Sequence, residues 1–322
     1  MLSERAGCGA SAERMGIMRL FDLHCDTLYE CYTQGKSLGR NDLQLDLTRG
    51  LRYDVWAQCF AVWMPDSLRG ETAYAQCVRI LEFAKKQAEC SGGRMRLIRT
   101  AAELEQAAAT HQCAALLTIE GGSALAGRLE ALDAFSEFGV RAITLTWNGE
   151  NELGYGSGCG KAGGLTRFGK QAVKRMEERG ILPDVSHLNE RGFWDVMDNT
   201  TGPVIASHSD SASVHPHERN LTDEQFRALI KRGGLVGLNL CGAHLGEQNF
   251  DCLRRHLDRY LSLGGERNVA FGCDLDGTDL PPEWEGLAVM ERICEWLGRK
   301  NYEESLIDRL FFSNCYDFFT AL

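Results

Sequence analysis

Residue types that bind metals recur directly after short apolar runs in this sequence. The runs are typical of buried strands in a parallel sheet, and polar residues that follow such strands meet at one edge of the sheet. The residues in this position are His24, Asp26, Glu120, His187, His208, Asp274 and Asp276. Their repetition predicts a metal site at the mouth of a parallel β-barrel, where the strand ends converge.

The apolar runs alternate with helix-type segments, which implies a parallel sheet. Strands are predicted near 18–23, 55–62, 114–119, 140–146, 181–185, 203–207, 235–240 and 268–273. Helices are predicted near 70–90, 129–138, 166–179, 189–198, 222–232 and 250–263, with two or three more at 284–321. We therefore expect an α/β fold, a (β/α)8 TIM-like barrel with the metal site at the C-terminal ends of the strands and extra C-terminal helices. An open doubly wound sheet is the alternative.

The loops argue against a nucleotide-binding fold. No Gly-x-Gly-x-x-Gly follows the first predicted strand, where His-Cys-Asp stands instead. The glycine-rich segment 154–164 lacks the Gly-x-x-x-x-Gly-Lys-[Ser/Thr] pattern of a phosphate-binding loop. We interpret it as a mobile loop over the barrel mouth.

Composition narrows the class of protein. The net charge of −10 disfavours a nucleic-acid-binding surface, which needs clustered lysine and arginine. The 13 cysteines include no Cys-x-x-Cys pair, which disfavours zinc ribbons and thioredoxin-like chemistry and fits a reducing compartment. No segment approaches the ~20 apolar residues that span a bilayer.

The domain organisation is predicted to be simple. Residues 1–17 lack the apolar core of a signal peptide and are expected to form a flexible N-terminal tail. Residues 18–322 contain no linker and are expected to form a single metal-dependent hydrolase barrel domain. We expect a cytoplasmic protein.

Five of the strand-end residues predict a two-metal site. His24 and Asp26 are two residues apart, so in extended backbone both side chains point the same way. His187 and His208 follow consecutive predicted strands, which lie ~4.8 Å apart in a sheet. Glu120 has two carboxylate oxygens and can bridge two cations. We predict that His24, Asp26 and Glu120 hold one ion and that Glu120, His187 and His208 hold the second.

Imidazole and carboxylate ligands favour zinc, with Mn, Co or Fe as alternatives. Two ions ~3.5–4 Å apart can activate a bridging hydroxide and polarise a carbonyl group. Each residue alone also has an ordinary structural explanation: a hydrogen-bonded His24 beside a helix-capping Asp26, a salt bridge for Glu120, and ordinary polar residues after a strand for His187 and His208.

Three more polar residues are candidates for catalysis or binding. Asp274 follows the last predicted strand and is a candidate general base and acid, with the orientation of a metal ligand as its alternative role. Asp276 is expected to cap a loop or helix. Arg219 could bind a substrate carboxylate with two hydrogen bonds, or it could be a solvated surface arginine.

Together these segments resemble the membrane dipeptidase (renal dipeptidase) family, peptidase family M19, among the amidohydrolase-like metal-dependent hydrolases. The resemblance runs from about residue 18 to the C-terminus and rests on Phe-Asp-Leu-His-Cys-Asp-Thr, Thr-Ile-Glu-Gly-Gly, Asp-Val-Ser-His, Ser-His-Ser-Asp and Phe-Gly-Cys-Asp-Leu-Asp-Gly. It implies a zinc-dependent dipeptidase with two Zn²⁺ per chain and a small dipeptide substrate. The zinc ligands that it implies are His24, Asp26, Glu120, His187 and His208. Glu120 would bridge the ions, Arg219 would bind the C-terminal carboxylate, and Asp274 would transfer protons.

The resemblance also implies a homodimer and tolerance of a D-residue at the C-terminal position of the dipeptide. Two positions depart from the family pattern. Trp147 stands where the animal enzymes have a histidine that is thought to steady the oxyanion, and an indole offers only one N–H donor. His244 stands about where a substrate-contacting tyrosine is expected. The animal enzymes carry a signal peptide and a lipid-anchor tail that this sequence lacks, which suggests a bacterial cytoplasmic relative.

Two other functions stay open at this point. One is hydrolysis of another amide, a lactone or a phosphoester by an amidohydrolase-type enzyme. Many of those enzymes bridge their metals with a carbamylated lysine after the fourth strand, and Leu-Thr-Trp-Asn-Gly-Glu offers none there. The other is a metal-binding relative that has lost turnover with the change to Trp147.

Overall fold

All strand pairs that form the sheet are parallel, as the alternating pattern predicts. The computed structural model describes residues 18–322, so the expected tail at 1–17 lies outside the described residues. The strands are β1 (Arg19–Cys25), β2 (Val55–Trp63), β3 (Met95–Leu97), β4 (Cys113–Glu120), β5 (Val140–Thr144), β6 (Leu182–Asp184), β7 (Val236–Leu238) and β8 (Val269–Phe271). Their order in the sheet is β6-β5-β4-β2-β1-β8-β7, and β3 pairs with β4 outside this path.

The segment 203–207, predicted as a strand, forms isolated bridges rather than a ladder. Ile205 pairs with Asp184 of β6, and Ala206 pairs with Val236 of β7. The segment therefore lies between the two ends of the sheet path. The result is an α/β fold whose parallel sheet curls in the manner of a TIM-like barrel.

Helices connect most of the strands. They are α1 (Thr27–Gln34), α2 (Leu47–Gly50), α3 (Gly70–Cys90), α4 (Ala101–Ala109), α5 (Glu130–Phe138), α6 (Arg167–Glu178), α7 (Glu190–Asn199), α8 (Asp223–Lys231), α9 (Gly242–Leu245), α10 (Phe250–Ser262), α11 (Val289–Arg299), α12 (Glu304–Asp308) and α13 (Asn314–Thr320). Short 3₁₀ helices cover Gly122–Leu125, Ser157–Cys159, Pro282–Trp284 and Gly286–Ala288, and a π-helix covers Arg309–Ser313. None of the helices between residues 18 and 322 combines the length and apolar character needed to cross a membrane.

Side chains along β1 alternate between two apolar clusters, as the period of a strand requires. Leu20 belongs to the larger cluster, which includes helix residues such as Leu81. Phe21 belongs to a smaller cluster and stacks on Phe319 of α13 with ring centroids 5.3 Å apart. The last helix therefore anchors near the start of β1, away from the strand ends that carry the candidate ligands.

The sequence pattern missed several short elements, among them α1, α2, α9, β3 and α4. The strand β3 has only three residues and is not fully buried, so it shows no apolar run. The helix α4 begins with a capping box in which Thr100 accepts from the backbone N–H of Glu103, and the Glu103 side chain accepts in return from the backbone of Thr100. That capping signal was readable in the sequence.

Candidate metal centre

The five predicted ligands come together at the carboxyl ends of the strands. His24 lies in β1 and Glu120 is the last residue of β4. His187 follows β6, and His208 follows the bridged segment 203–207. Ligand atoms of His24, Glu120 and His208 all lie within 4.8 Å of one another, and all three residues are buried.

Glu120 stands between the histidines and divides its two oxygens among them. Its Oε2 lies 3.5 Å from Nε2 of His24. Its Oε1 lies 2.7 Å from Nε2 of His187 and 3.4 Å from Nε2 of His208. One carboxylate therefore faces two separate sets of imidazoles, which is the geometry expected of a bridging ligand.

A second group of acidic residues surrounds His24. Its Nε2 lies 3.7 Å from Oδ2 of Asp26 and 3.8 Å from Oδ1 of Asp274. Asp26 precedes α1, but its side chain makes no capping hydrogen bond to that helix. Asp26 therefore faces the cluster instead of serving as a helix cap, and Asp274 lies within reach of the same point.

The residues present fit a metal. Nε2 of His24 and Oδ1 of Asp26 are buried without a hydrogen-bond partner, which is costly for polar atoms. Nε2 of His187 lies 2.9 Å from Nε2 of His208, so two imidazole nitrogens face each other beside a carboxylate. A cation among these atoms would satisfy them all, and nitrogen and oxygen donors of this kind suit zinc and its divalent neighbours.

The imidazoles are oriented by hydrogen bonds at their other nitrogens. Nδ1 of His187 lies 2.9 Å from Oδ1 of Asn148. Nδ1 of His208 lies 2.7 Å from Oγ of Ser207, which in turn donates to Oδ2 of Asp184 at 2.5 Å. Because a carbonyl oxygen and an already donating hydroxyl accept here, each Nδ1 carries the proton and each Nε2 is left free, as metal-binding histidines require.

Burial and neighbouring charges shift the acidity of these groups. Burial opposes the charge of Glu120, but the neighbouring His24 holds the pKa of its carboxyl well below the ordinary value. Burial, together with the charge of Glu120, raises the pKa of Asp26 to about 7. Burial raises the pKa of Asp274 to about 6. Without a cation, the buried cluster therefore contains more carboxyl groups than can be ionised at the same time.

The backbone is unusual at two of these positions. His187 has φ 67° and Asp274 has φ 60°, values in the left-handed region that residues other than glycine rarely adopt. Such conformations persist where the surroundings enforce them and cluster at functional sites. The sequence gives no sign of this strain.

Arg219 is buried, with 6% of its surface exposed, so it is not a solvated surface arginine. Its Nη1 donates to Oγ of Ser209 at 3.2 Å, and its Nη2 donates to the backbone oxygen of His208 at 3.3 Å. Its Nε has no hydrogen-bond partner. The guanidinium is therefore held next to the candidate ligand His208, and its Nε–H is available to donate a further hydrogen bond.

A cavity of about 360 Å³ opens onto the cluster. Its volume lies at the small end of the roughly 300–1,000 Å³ typical of small-molecule sites. Asp26, Glu120, His187 and Asp274 line it. Trp147 and His244, the two residues that depart from the family pattern, line it as well. The cavity therefore places two of the three predicted substrate-binding residues beside the predicted ligands. Arg219, the third, does not line this cavity and instead lines a separate cavity of about 230 Å³.

Asn239, which belongs to none of the sequence patterns described above, contacts two of the cavity residues. Its Oδ1 accepts from the backbone N–H of Cys241 at 2.7 Å, which fixes the orientation of the amide. Its Nδ2 then lies 3.2 Å from Oδ2 of Asp274 and 3.3 Å from Nδ1 of His244. Burial, aided by Arg219, lowers the pKa of His244 to about 2. The neutral imidazole accepts at Nδ1 and carries its proton on Nε2.

Asp276, expected to cap a loop or helix, anchors a loop. It accepts from the hydroxyl of Thr27 at 2.5 Å and from the backbone N–H of Gln44 at 2.6 Å. These bonds tie the loop after β8 to the segment that follows α1.

A larger cavity of about 720 Å³ lies at the other edge of the sheet, near the starts of the segment 203–207 and of β7 and β8. Within residues 18–322, two groups of side chains have the geometry of metal ligands: His24, Glu120 and His208, and His24, Asp26 and Asp274. Both groups lie at the smaller cavity of about 360 Å³. Active sites of barrel enzymes are found at the carboxyl ends of the strands. Chemistry is therefore expected at the smaller cavity.

Comparison with known proteins agrees with this geometry. The family model described as membrane dipeptidase (peptidase family M19) matches residues 12–320. A Klebsiella pneumoniae protein described as an uncharacterized protein in the pqqA 5′ region is 35% identical over 247 residues, which cover 73% of this chain and 91% of the relative.

Solved structures share the fold. One is the crystal structure of dipeptidase AC, a metallopeptidase of family M19, with a TM-score of 0.88 and 26% identity over 94% of this chain and 98% of that one. Another is a metallopeptidase from Rhodobacter sphaeroides liganded with a phosphinate mimic of the dipeptide L-Ala-D-Ala, with a TM-score of 0.87 and 24% identity over 94% of this chain and 99% of that one. Family and fold together support a metal-dependent dipeptidase, and the chain belongs to the membrane dipeptidase family, peptidase family M19.

Proposed function

We propose that this protein is a dinuclear zinc dipeptidase that hydrolyses dipeptides, including those with a D-residue at the C-terminal position. The observation that carries the proposal is the division of the Glu120 oxygens, one toward His24 and the other toward His187 and His208. A carboxylate placed in this way suits two cations better than one.

His24, Asp26 and Glu120 would hold one zinc ion, and Glu120, His187 and His208 would hold the other. When bound, the two ions would supply Lewis acidity that lowers the pKa of a water molecule and polarises the scissile carbonyl. The donor set of imidazole nitrogens and carboxylate oxygens supports zinc.

Arg219 would pair with the terminal carboxylate of the substrate. Its burial removes competing water, and its unpartnered Nε supports a role in binding an anion. A requirement for a free carboxylate, together with a cavity of about 360 Å³, favours dipeptides over longer peptides. Trp147 and His244 would contact the substrate from the cavity walls, with Nε2–H of His244 as a donor.

Asp274 would take the proton from the attacking water and deliver it to the leaving amine. Its Oδ1 faces His24 at 3.8 Å, while its Oδ2 is held by Asn239 at 3.2 Å. One oxygen is thus anchored and the other faces the reacting groups.

The experiment combines metal analysis with amino-acid release from a panel of L-L and L-D dipeptides. We expect two zinc ions per chain, and cleavage that is lost when the dipeptide carboxylate is amidated. Asp274→Asn should abolish release while zinc is retained. Asp317→Asn, at an exposed position on α13, serves as the matched control and should leave both unchanged. Zinc-replete protein that cleaves no dipeptide of either chirality would refute the proposal.

A further inference from the structure

We propose that Tyr29, Trp63 and Trp147 form an aromatic wall that selects dipeptides with a bulky apolar side chain on the N-terminal residue. The inference deepens the proposed dipeptidase function and rests on it for the orientation of the substrate. It assigns a substrate preference to side chains that neither bind metal nor transfer protons.

The three rings form a continuous edge-to-face series. The ring centroids of Tyr29 and Trp63 lie 4.9 Å apart at 84°, and those of Trp63 and Trp147 lie 5.0 Å apart at 76°. All three side chains are half-buried and line the cavity that holds the candidate metal ligands. The cavity thus has an apolar surface directly beside its polar floor.

The order of the strands places this wall opposite the carboxylate-binding side. Tyr29 follows β1, Trp63 ends β2 and Trp147 follows β5, and these strands belong to the run β5-β4-β2-β1 of the sheet. Arg219 follows the segment 203–207, and His244 follows β7, so both come from the other part of the ring of strands. A dipeptide whose carboxylate pairs with Arg219 therefore directs its N-terminal residue toward the wall.

The wall is held in place before substrate arrives. The backbone N–H of Gly149, two residues after Trp147, donates to Oδ2 of Asp66 at 2.7 Å. Gly156 packs so closely on this loop that a Cβ atom there would lie 2.1 Å from the backbone oxygen of Trp147. A rigid apolar surface loses little entropy on binding, so contact with a substrate side chain translates into affinity.

The physical basis of the selection is the removal of apolar surface from water. An isobutyl or benzyl side chain would cover the exposed ring faces, whereas glycine would leave them hydrated. A difference of even one methylene in an apolar pocket changes kcat/KM roughly 10- to 200-fold. We therefore expect Leu-Ala and Phe-Ala to exceed Gly-Ala in kcat/KM by at least about 10-fold.

The test measures kcat/KM for Gly-Ala, Leu-Ala and Phe-Ala with zinc-loaded wild type, Tyr29→Ala and Trp63→Ala. Each substitution should lower kcat/KM for Leu-Ala and Phe-Ala about 10-fold or more and leave Gly-Ala within about threefold. Trp63→Phe, which retains an aromatic ring, should keep most of the preference. Trp296→Ala is the matched control, because Trp296 lies on α11 and does not line the cavity.

Binding separates failure of this inference from failure of the proposed function. Calorimetry with zinc-loaded Asp274→Asn measures the affinity for the same three dipeptides without turnover. Tighter binding of Leu-Ala and Phe-Ala that is lost in the Trp63→Ala background supports the wall even if wild type cleaves nothing. Equal affinity for all three dipeptides, or an equal loss for all three on substitution, overturns it.

Discussion

Nε2 of His187 and Nε2 of His208 lie 2.9 Å apart, although the two residues follow different strands. Each ring is fixed through its Nδ1, so both free nitrogens face Oε1 of Glu120. Two lone pairs and a carboxylate oxygen directed at one point repel one another unless a cation lies among them. This pair of residues is therefore the strongest support for the second of the two proposed metal sites.

Glu120→Gln should disrupt both halves of the centre. The amide keeps the shape of the side chain but loses the charge and one acceptor oxygen, so the bridge between the two sets of histidines is broken. We expect zinc content to fall to one ion per chain or fewer, and kcat/KM to fall by more than the roughly 10- to 100-fold typical of lost outer hydrogen bonds. Elemental analysis beside Glu178→Gln, an exposed position on α6, tests this. Two retained zinc ions would rule out a bridging role.

Asn148→Ala should weaken metal binding without removing a ligand. The substitution deletes the acceptor for Nδ1–H of His187, so the ring can rotate and change tautomer. Zinc affinity should drop about 10- to 100-fold, as for other partners of metal-bound histidines. Competition with a chromogenic chelator measures the affinity, and Asn199→Ala on α7 is the control. An unchanged affinity would mean that the Asn148 contact does not orient His187 for metal binding.

Removal of metal should destabilise the fold. Without cations the cluster retains buried His24, Asp26 and Glu120 with unsatisfied or competing polar atoms. A ligand present at 1,000 times its Kd stabilises the folded state by about 4 kcal/mol, so chelation should lower Tm by roughly 6 °C in a chain of this length. Differential scanning calorimetry before and after chelation, with zinc added back, checks the effect. A Tm that is insensitive to complete metal removal would contradict it.

The candidate ligands could be predicted because each belongs to a pattern that physics imposes on sequence. Parallel strands buried on both faces appear as apolar runs, and polar residues after such runs gather at one edge. Glu120 illustrates this, since it is the last residue of an uninterrupted buried strand. The same reasoning predicted a full strand at 203–207. The apolar residues of this segment are buried, but its backbone makes only isolated bridges.

The supporting residues could not be predicted in this way, because their role is defined by partners distant in sequence. Asp22 looks like one polar residue within an apolar run. In the fold it accepts from the backbone N–H groups of His24 and Cys273 and from Nε2 of Gln58, so it ties β1 to β2 and β8 beneath the site. Asn239 likewise shows no functional signal in the sequence, because its role depends on its contact with Asp274 in the fold.

Asn239→Asp should impair turnover more than metal binding. The new carboxylate would lie about where the amide nitrogen now stands 3.2 Å from Oδ2 of Asp274, and like charges at that distance repel. We expect kcat to fall 10²- to 10⁴-fold, the usual contribution of a positioned acid or base, with zinc content unchanged. Asn239→Ala removes the hydrogen bond without adding charge and should cost less. Equal kcat in Asn239→Asp and wild type would show that Asp274 does not depend on this contact.

Gly277→Ala should displace the carboxylates of Asp26 and Asp274. A Cβ atom at this position would lie 2.2 Å from Oδ2 of Asp26 and 2.3 Å from Oδ1 of Asp274, closer than any real contact, so both carboxylates would have to move. Since both oxygens face His24, zinc affinity and kcat/KM should fall together by at least about 10-fold. Gly298→Ala is a matched control, because a Cβ atom there meets nothing within 4 Å and alanine favours the helix α11. Gly277→Ala protein with normal zinc affinity and kcat/KM would mean that neither carboxylate works from the position seen here.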